Sequence, residues 1–127
     1  MNFPPDHPLT ERVRRLCMAY PEAAEVMSHG RCTFRAGKRQ FAIVGVYEIS
    51  AVVFIPDDSE RLALLERSDV FIPPYEGAYG WLAIRMTADA GDWQLLAELL
   101  DTSYRVVALK RQLRALDDGD APASGLD

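Results

Sequence analysis

The chain has 127 residues, 49% of them hydrophobic and 26% charged, with a formal charge of −5. That describes one domain able to bury a core without disulfide staples, and the acidic balance excludes a protein that coats nucleic acid or anionic membrane over its whole surface. Apolar runs such as residues 51–55 are too short to cross a bilayer, and the first residues lack the basic start and apolar stretch of a signal peptide; the expectation is a cytoplasmic protein with no membrane partner.

Residues 9–20 carry Leu9, Val13, Leu16, Cys17 and Tyr20 at helical spacing with Arg12, Arg14 and Arg15 opposite, so they predict an amphipathic helix. Thr10 or Asp6 is the candidate cap, and Pro21 stops the helix. Residues 22–27 are expected to form a short helical turn. Ser28-His29-Gly30 then breaks the chain, and Cys32-Thr33-Phe34-Arg35 opens a strand.

Ala36-Gly37-Lys38-Arg39 reads as a hairpin turn into residues 41–47, a β-branched run apolar on both faces and therefore a central strand. Residues 48–50 turn the chain into a further strand over 51–55, giving a three-strand meander that Pro56 ends. Asp57-Asp58-Ser59 offers caps for a helix over 60–67, with Leu62 and Leu65 facing inward.

The stretch Phe71-Ile72-Pro73-Pro74-Tyr75-Glu76-Gly77-Ala78-Tyr79-Gly80-Trp81 is punctuated by two prolines and two glycines. It predicts a stiff irregular loop holding Tyr75, Tyr79 and Trp81. Either these aromatics grip a ligand or partner, or Tyr75 and Trp81 are core pillars and Tyr79 is the exposed one. Ser28 and His29, at another glycine break, are the candidates to line the same cleft.

Residues 81–86 form the next strand, 88–91 a turn, and Asp92 caps a long helix. Its core stripe is Trp93, Leu96, Leu100, Tyr104 and Val107. A second stripe runs through Leu95, Leu99, Val106, Leu109, Leu113 and Leu116. A helix continuous to Leu116 would be roughly 37 Å long, so its end either bends back or packs on a partner. A homodimer through Leu95, Leu99, Val106, Leu109 and Leu113 is one expectation, a kinked helix the other. Residues 117–127 hold four aspartates and no base, an acidic tail expected to be disordered, which leaves residues 1–116 as the single domain.

Without the tail the charge is nearly balanced, and two windows are free of acids. Arg31, Arg35, Lys38 and Arg39 make the first; Arg105, Lys110, Arg111 and Arg114 make the second. The first, on a hairpin, is the candidate for phosphate contacts and hence for DNA as partner. No catalytic residue, metal or cofactor is expected. His29-x-x-Cys32 has no further ligands at metal spacing, Cys17 and Cys32 read as small buried apolar residues, and Gly77-Ala78-Tyr79-Gly80 lacks the Lys and Ser/Thr of a phosphate-cradling loop.

Several short motifs in order, Pro21-Glu22, Ser28-His29-Gly30, Thr33-Phe34-Arg35, Phe71-Ile72-Pro73-Pro74-Tyr75, Gly80-Trp81, Asp92-Trp93 and Tyr104-Arg105-Val106-Val107-Ala108 with Lys110-Arg111, resemble the MmcQ/YjbR family. The resemblance implies an α+β domain with an antiparallel sheet of four to five strands and helices packed on one side, similar to secretion-chaperone-like folds. Members are bacterial and often labelled DNA-binding. This chain departs from them at Ala78-Tyr79, Phe54 and Leu109, where apolar residues replace bases or a proline. Two functional expectations follow: a non-catalytic nucleic-acid-binding module using the hairpin, or a dimeric protein-interaction or small-ligand-binding domain using the loop from Tyr75 to Trp81.

Overall fold

The computed structural model describes residues 3–119, and most of the acidic tail expected over 117–127 lies outside them. The chain runs α1 (Pro8–Cys17), β1 (Ala23–Ser28), β2 (Arg31–Ala36), β3 (Arg39–Val46), β4 (Ile49–Phe54), α2 (Arg61–Leu65), β5 (Val70–Phe71), β6 (Leu82–Arg85), α3 (Trp93–Val107) and α4 (Lys110–Asp117). Single 3-10 turns, Asp58–Glu60 and Glu76–Tyr79, precede α2 and β6. All pairings are antiparallel, in one sheet of order β1-β2-β3-β4-β6-β5.

This is the α+β architecture expected, with six strands rather than four to five. The additional strands are β1 and the two-residue β5. Residues 22–27 are not a helical turn, because Ala23 to Ser28 pair residue for residue with β2 across a tight turn in which His29 and Gly30 both have positive φ. The first helix is capped by His7, whose Nδ1 accepts from the Leu9 amide, rather than by Thr10 or Asp6. Leu62 points out, 78% exposed, and Leu64 takes the inward position in α2.

The four helices share one face of the sheet. Leu9, Val13 and Cys17 of α1, Leu64 of α2, Leu96, Leu100, Tyr104 and Val107 of α3 and Leu116 of α4 pack there against Phe34, Phe41, Val44, Val52, Phe54, Leu82 and Ile84. The core stripe of α3 is thus the one its spacing predicts, although Trp93 is only half-buried. Buried Ser103 stitches α3 to the sheet: its Oγ donates to the Phe41 carbonyl (2.6 Å) and accepts from the Ile55 amide (2.9 Å). Ser103→Ala would strand both buried backbone groups, and chemical denaturation should show a loss of about 1–3 kcal/mol with an unchanged m-value.

The long helix ends at Val107. Ala108 and Leu109 are extended, and α4 turns back, so the single rod expected through Leu116 does not form. Gln112, 1% exposed, holds the return: its Oε1 accepts from the Leu109 amide, and its Nε2 donates to Glu22 Oε1 and the Ala36 carbonyl. Glu22 also takes two N–H groups from Arg111, at 2.9 and 2.8 Å. Arg111 first, and Gln112 second, hold the Glu22 carboxyl down at about 2 against an ordinary 4.5. A carboxyl lowered on folding stabilises above its unfolded value and stops doing so as pH falls through its folded one. The melting-temperature gap between wild type and Glu22→Gln should therefore be full above about pH 4.5 and close as pH drops toward about 2.

Candidate functional site

Alternation makes the central strands apolar on their second face too. Ile43, Val46, Ala51, Val53 and Ala83 form a separate cluster there, with Ile49, Phe71 and Trp81 against it, and no helix contributes to it. Cover comes from the irregular segment 72–80 between β5 and β6. It leaves the β5 edge of the sheet and reaches β2, where Glu76 Oε2 meets Arg31 at 2.5 Å. The pair is only 15% and 16% exposed, and Arg31 donates a second time to the Gly45 carbonyl (3.2 Å). Arg61 donates to the Gly80 carbonyl and ties the far end of this strap to α2. Gly77 lets it fold tightly, because a Cβ there would run into Ile72 Cγ2 and force that exposed side chain to move.

A register shift between Val44 and Val46 aims the end of β3 at this face. Gly45, at φ 95°, is the extra residue of the bulge; it turns Val46 into line with Ile49 and Ala51 and leaves room for the Phe3 ring against its own Cα. The following turn places Tyr47 at φ 53°, a left-handed conformation that a bulky side chain occupies at a cost.

Between strap and turn lies an open cleft of about 820 Å³. Val46 is at its floor with the Arg31–Glu76 pair beside it, and His29, Tyr47, Pro74, Tyr75, Ala78 and Tyr79 line the walls. The three tyrosines are 52%, 68% and 83% exposed. The Tyr47 and Tyr75 rings sit 6.5 Å apart at 58°, and the neighbouring Tyr75 hydroxyl is the first cause pushing the Tyr47 pKa up. The arrangement offers aromatic faces and hydroxyls around one neutralised ion pair. Cys17 and Cys32 are both buried, and burial pushes both thiols up.

Of the residues singled out for this cleft, His29, Tyr75 and Tyr79 come together in it. Ser28 stands behind, its Oγ 3.1 Å from His29 Nδ1. Trp81 is not a wall residue: it is half-buried against the second cluster, and so is the pillar that Tyr75, exposed, is not. Arg31, Arg35, Lys38 and Arg39 are spread over the β2–β3 hairpin. Arg31 and Ala36, the ends of β2, are roughly 17 Å apart. Arg31 is committed to Glu76, Arg35 is half-buried with no acceptor for its Nε, and only Lys38 and Arg39 are exposed at the tip. Along the second helical stripe Leu99 is buried in the core, Leu95 and Leu113 are half-buried, and Val106 and Leu109 are exposed.

Tyr47, Arg31 as a cleft residue and Glu76 were not assigned to the site from sequence. The signal available for Tyr47 was a large aromatic two residues before the next strand, at the end of a run with a lone glycine. Nothing local joins Glu76 to Arg31, 45 residues away. Removing one partner leaves the other charge half-buried and alone. Glu76→Ala should lose about 1–3 kcal/mol and make the 72–80 strap the first point of proteolytic cleavage, with Glu76→Gln intermediate.

The YjbR family model matches residues 18–106. Among solved structures, Deinococcus radiodurans protein DR2400, a DUF419 domain, is similar with a TM-score of 0.69 over 94% of this chain and 97% of that one, at 18% identity. No curated protein matches.

Proposed function

The chain belongs to the YjbR family, and on the geometry of its strap we propose that it is a non-catalytic binding domain whose ligand or partner seats in the tyrosine-walled cleft. One observation carries the reading. Three tyrosines from two different loops are exposed around a single concavity, one of them held in a left-handed conformation. Exposed aromatics and backbone strain are both costly in a free domain, and rigid rings supply contact area at low entropic cost.

The volume suits a small molecule or a short stretch of chain. The strap bears little direct charge, since Arg31 and Glu76 cancel, so binding here should tolerate salt. A second reading rests on Lys38 and Arg39, exposed at the hairpin tip and without an ion pair among the described residues. It makes the tip a phosphate contact and predicts the opposite salt behaviour.

Ligand-observed NMR with indole and adenine as probes separates the two. Saturation transfer to these rings should appear with wild type, vanish in Tyr47→Gly and Tyr79→Ala, and persist in a Lys38→Glu, Arg39→Glu variant. Tyr47→Gly should at the same time gain about 1 kcal/mol of stability, because glycine accepts the left-handed turn. No transfer to either probe, together with duplex DNA binding that falls steeply between about 50 and about 200 mM salt and is lost in the Lys38→Glu, Arg39→Glu variant, would replace the cleft reading by the hairpin one.

A further inference from the structure

We propose that the occupant of this cleft is a proline-rich segment in the polyproline II conformation. The inference rests on the cleft reading above and follows from its aromatic walls and the donors beside them. Tyr75 and Tyr79 present hydroxyl donors at the rim. Arg31 has five N–H donors, of which one goes to the Gly45 carbonyl and one to Glu76, leaving three at the base. Glu76, the carboxylate of the cleft, is held by Arg31. The side chains thus offer ring faces and N–H and O–H donors, with one Glu76 carboxylate oxygen already taken by Arg31.

Each ligand class meets that inventory differently. A cation would face the Arg31 guanidinium, and an anion would face the Glu76 carboxylate. Proline has a carbonyl, a compact apolar ring and no N–H. In the polyproline II helix the carbonyls have no internal partners, and the chain is already ordered before it binds, so little entropy is lost. Aromatic grooves take such segments by seating the rings between tyrosines and donating to the carbonyls. Tyr47 and Tyr75, 6.5 Å apart and tilted at 58°, make a V-shaped notch of that kind, and Pro74 and Tyr79 extend its wall.

Fluorescence anisotropy of labelled decaproline tests this, with a ten-residue Gly-Ser peptide and oligothymidine as comparison probes. Decaproline should bind saturably and alike at about 50 and about 500 mM salt, and the Gly-Ser peptide should not bind. Tyr79→Ala should weaken it about tenfold and Tyr79→Phe about threefold through the hydroxyl alone. Tyr79 is 83% exposed, so both variants keep the fold, which circular dichroism verifies. Absence of saturation below about 1 mM, equal binding of the Gly-Ser peptide, or indifference to Tyr79→Ala overturns the proposal. Oligothymidine binding lost in Tyr79→Ala while decaproline stays silent would make this a base-stacking cleft, refuting the proline assignment and keeping the cleft. Silence of indole and adenine as well would refute both.

Discussion

A sheet whose central strands are apolar on both faces has to be covered twice. Ile43 beside Val44, Val52 beside Val53 and Ala83 beside Ile84 point in opposite directions, and all are buried. The helices are spent on one face. On the other a nine-residue strap does the work of a helix, and it holds its place through one half-buried ion pair, one arginine on a backbone carbonyl and a glycine that allows it to fold tightly. The cleft is the rim of that arrangement, where the strap meets the turn after β3. The cleft and the cover of the second face are therefore joined at Arg31 and Glu76, which hold the strap down and line the cleft.

The same logic accounts for the basic residues. Charged groups that reach a carboxylate become part of the scaffold. Arg14 pairs with Glu25 across α1 and β1, Arg105 with Asp101 within α3 and with Asp117 of α4, and Arg111 of α4 with Glu22 just before β1. The exposed pairs contribute little each in water, but Arg111–Glu22 joins residues 89 apart in sequence and helps fix α4 against the hairpin. Of the bases in the two acid-free windows, those exposed and without an ion pair among the described residues, Lys38 and Arg39 at one tip and Lys110 and Arg114 on α4, are divided between two places. A charge count by window does not reveal this division.

The helices, the hairpin turns and the core stripe of α3 were legible because each follows from local periodicity and local chemistry: Leu96, Leu100, Tyr104 and Val107 at helical spacing, Asp92 at the cap, Gly37 at the turn. The family was legible from ordered motifs distributed over most of the chain. Tyr79 was legible as the exposed aromatic, from its place between two glycines in a stretch that prolines keep out of regular structure.

The remaining features depend on contacts between distant residues. β1 has the composition of a helical turn and becomes a strand only because β2 offers it a full set of backbone partners. The break after Val107 has no proline or glycine to announce it; Gln112 and Leu116 create it by burying themselves against residues 22–36 and the core. Tyr47 enters the cleft through a bulge three strands from the Tyr75 loop, and Glu76 finds Arg31 across the whole width of the second face. Sequence alone determined most of the helical and extended segments and that Tyr79 stands outside the core, since those depend on near neighbours. Tertiary structure alone decided which loop covers the second face and which residues form the cleft, since both depend on what the sheet leaves uncovered.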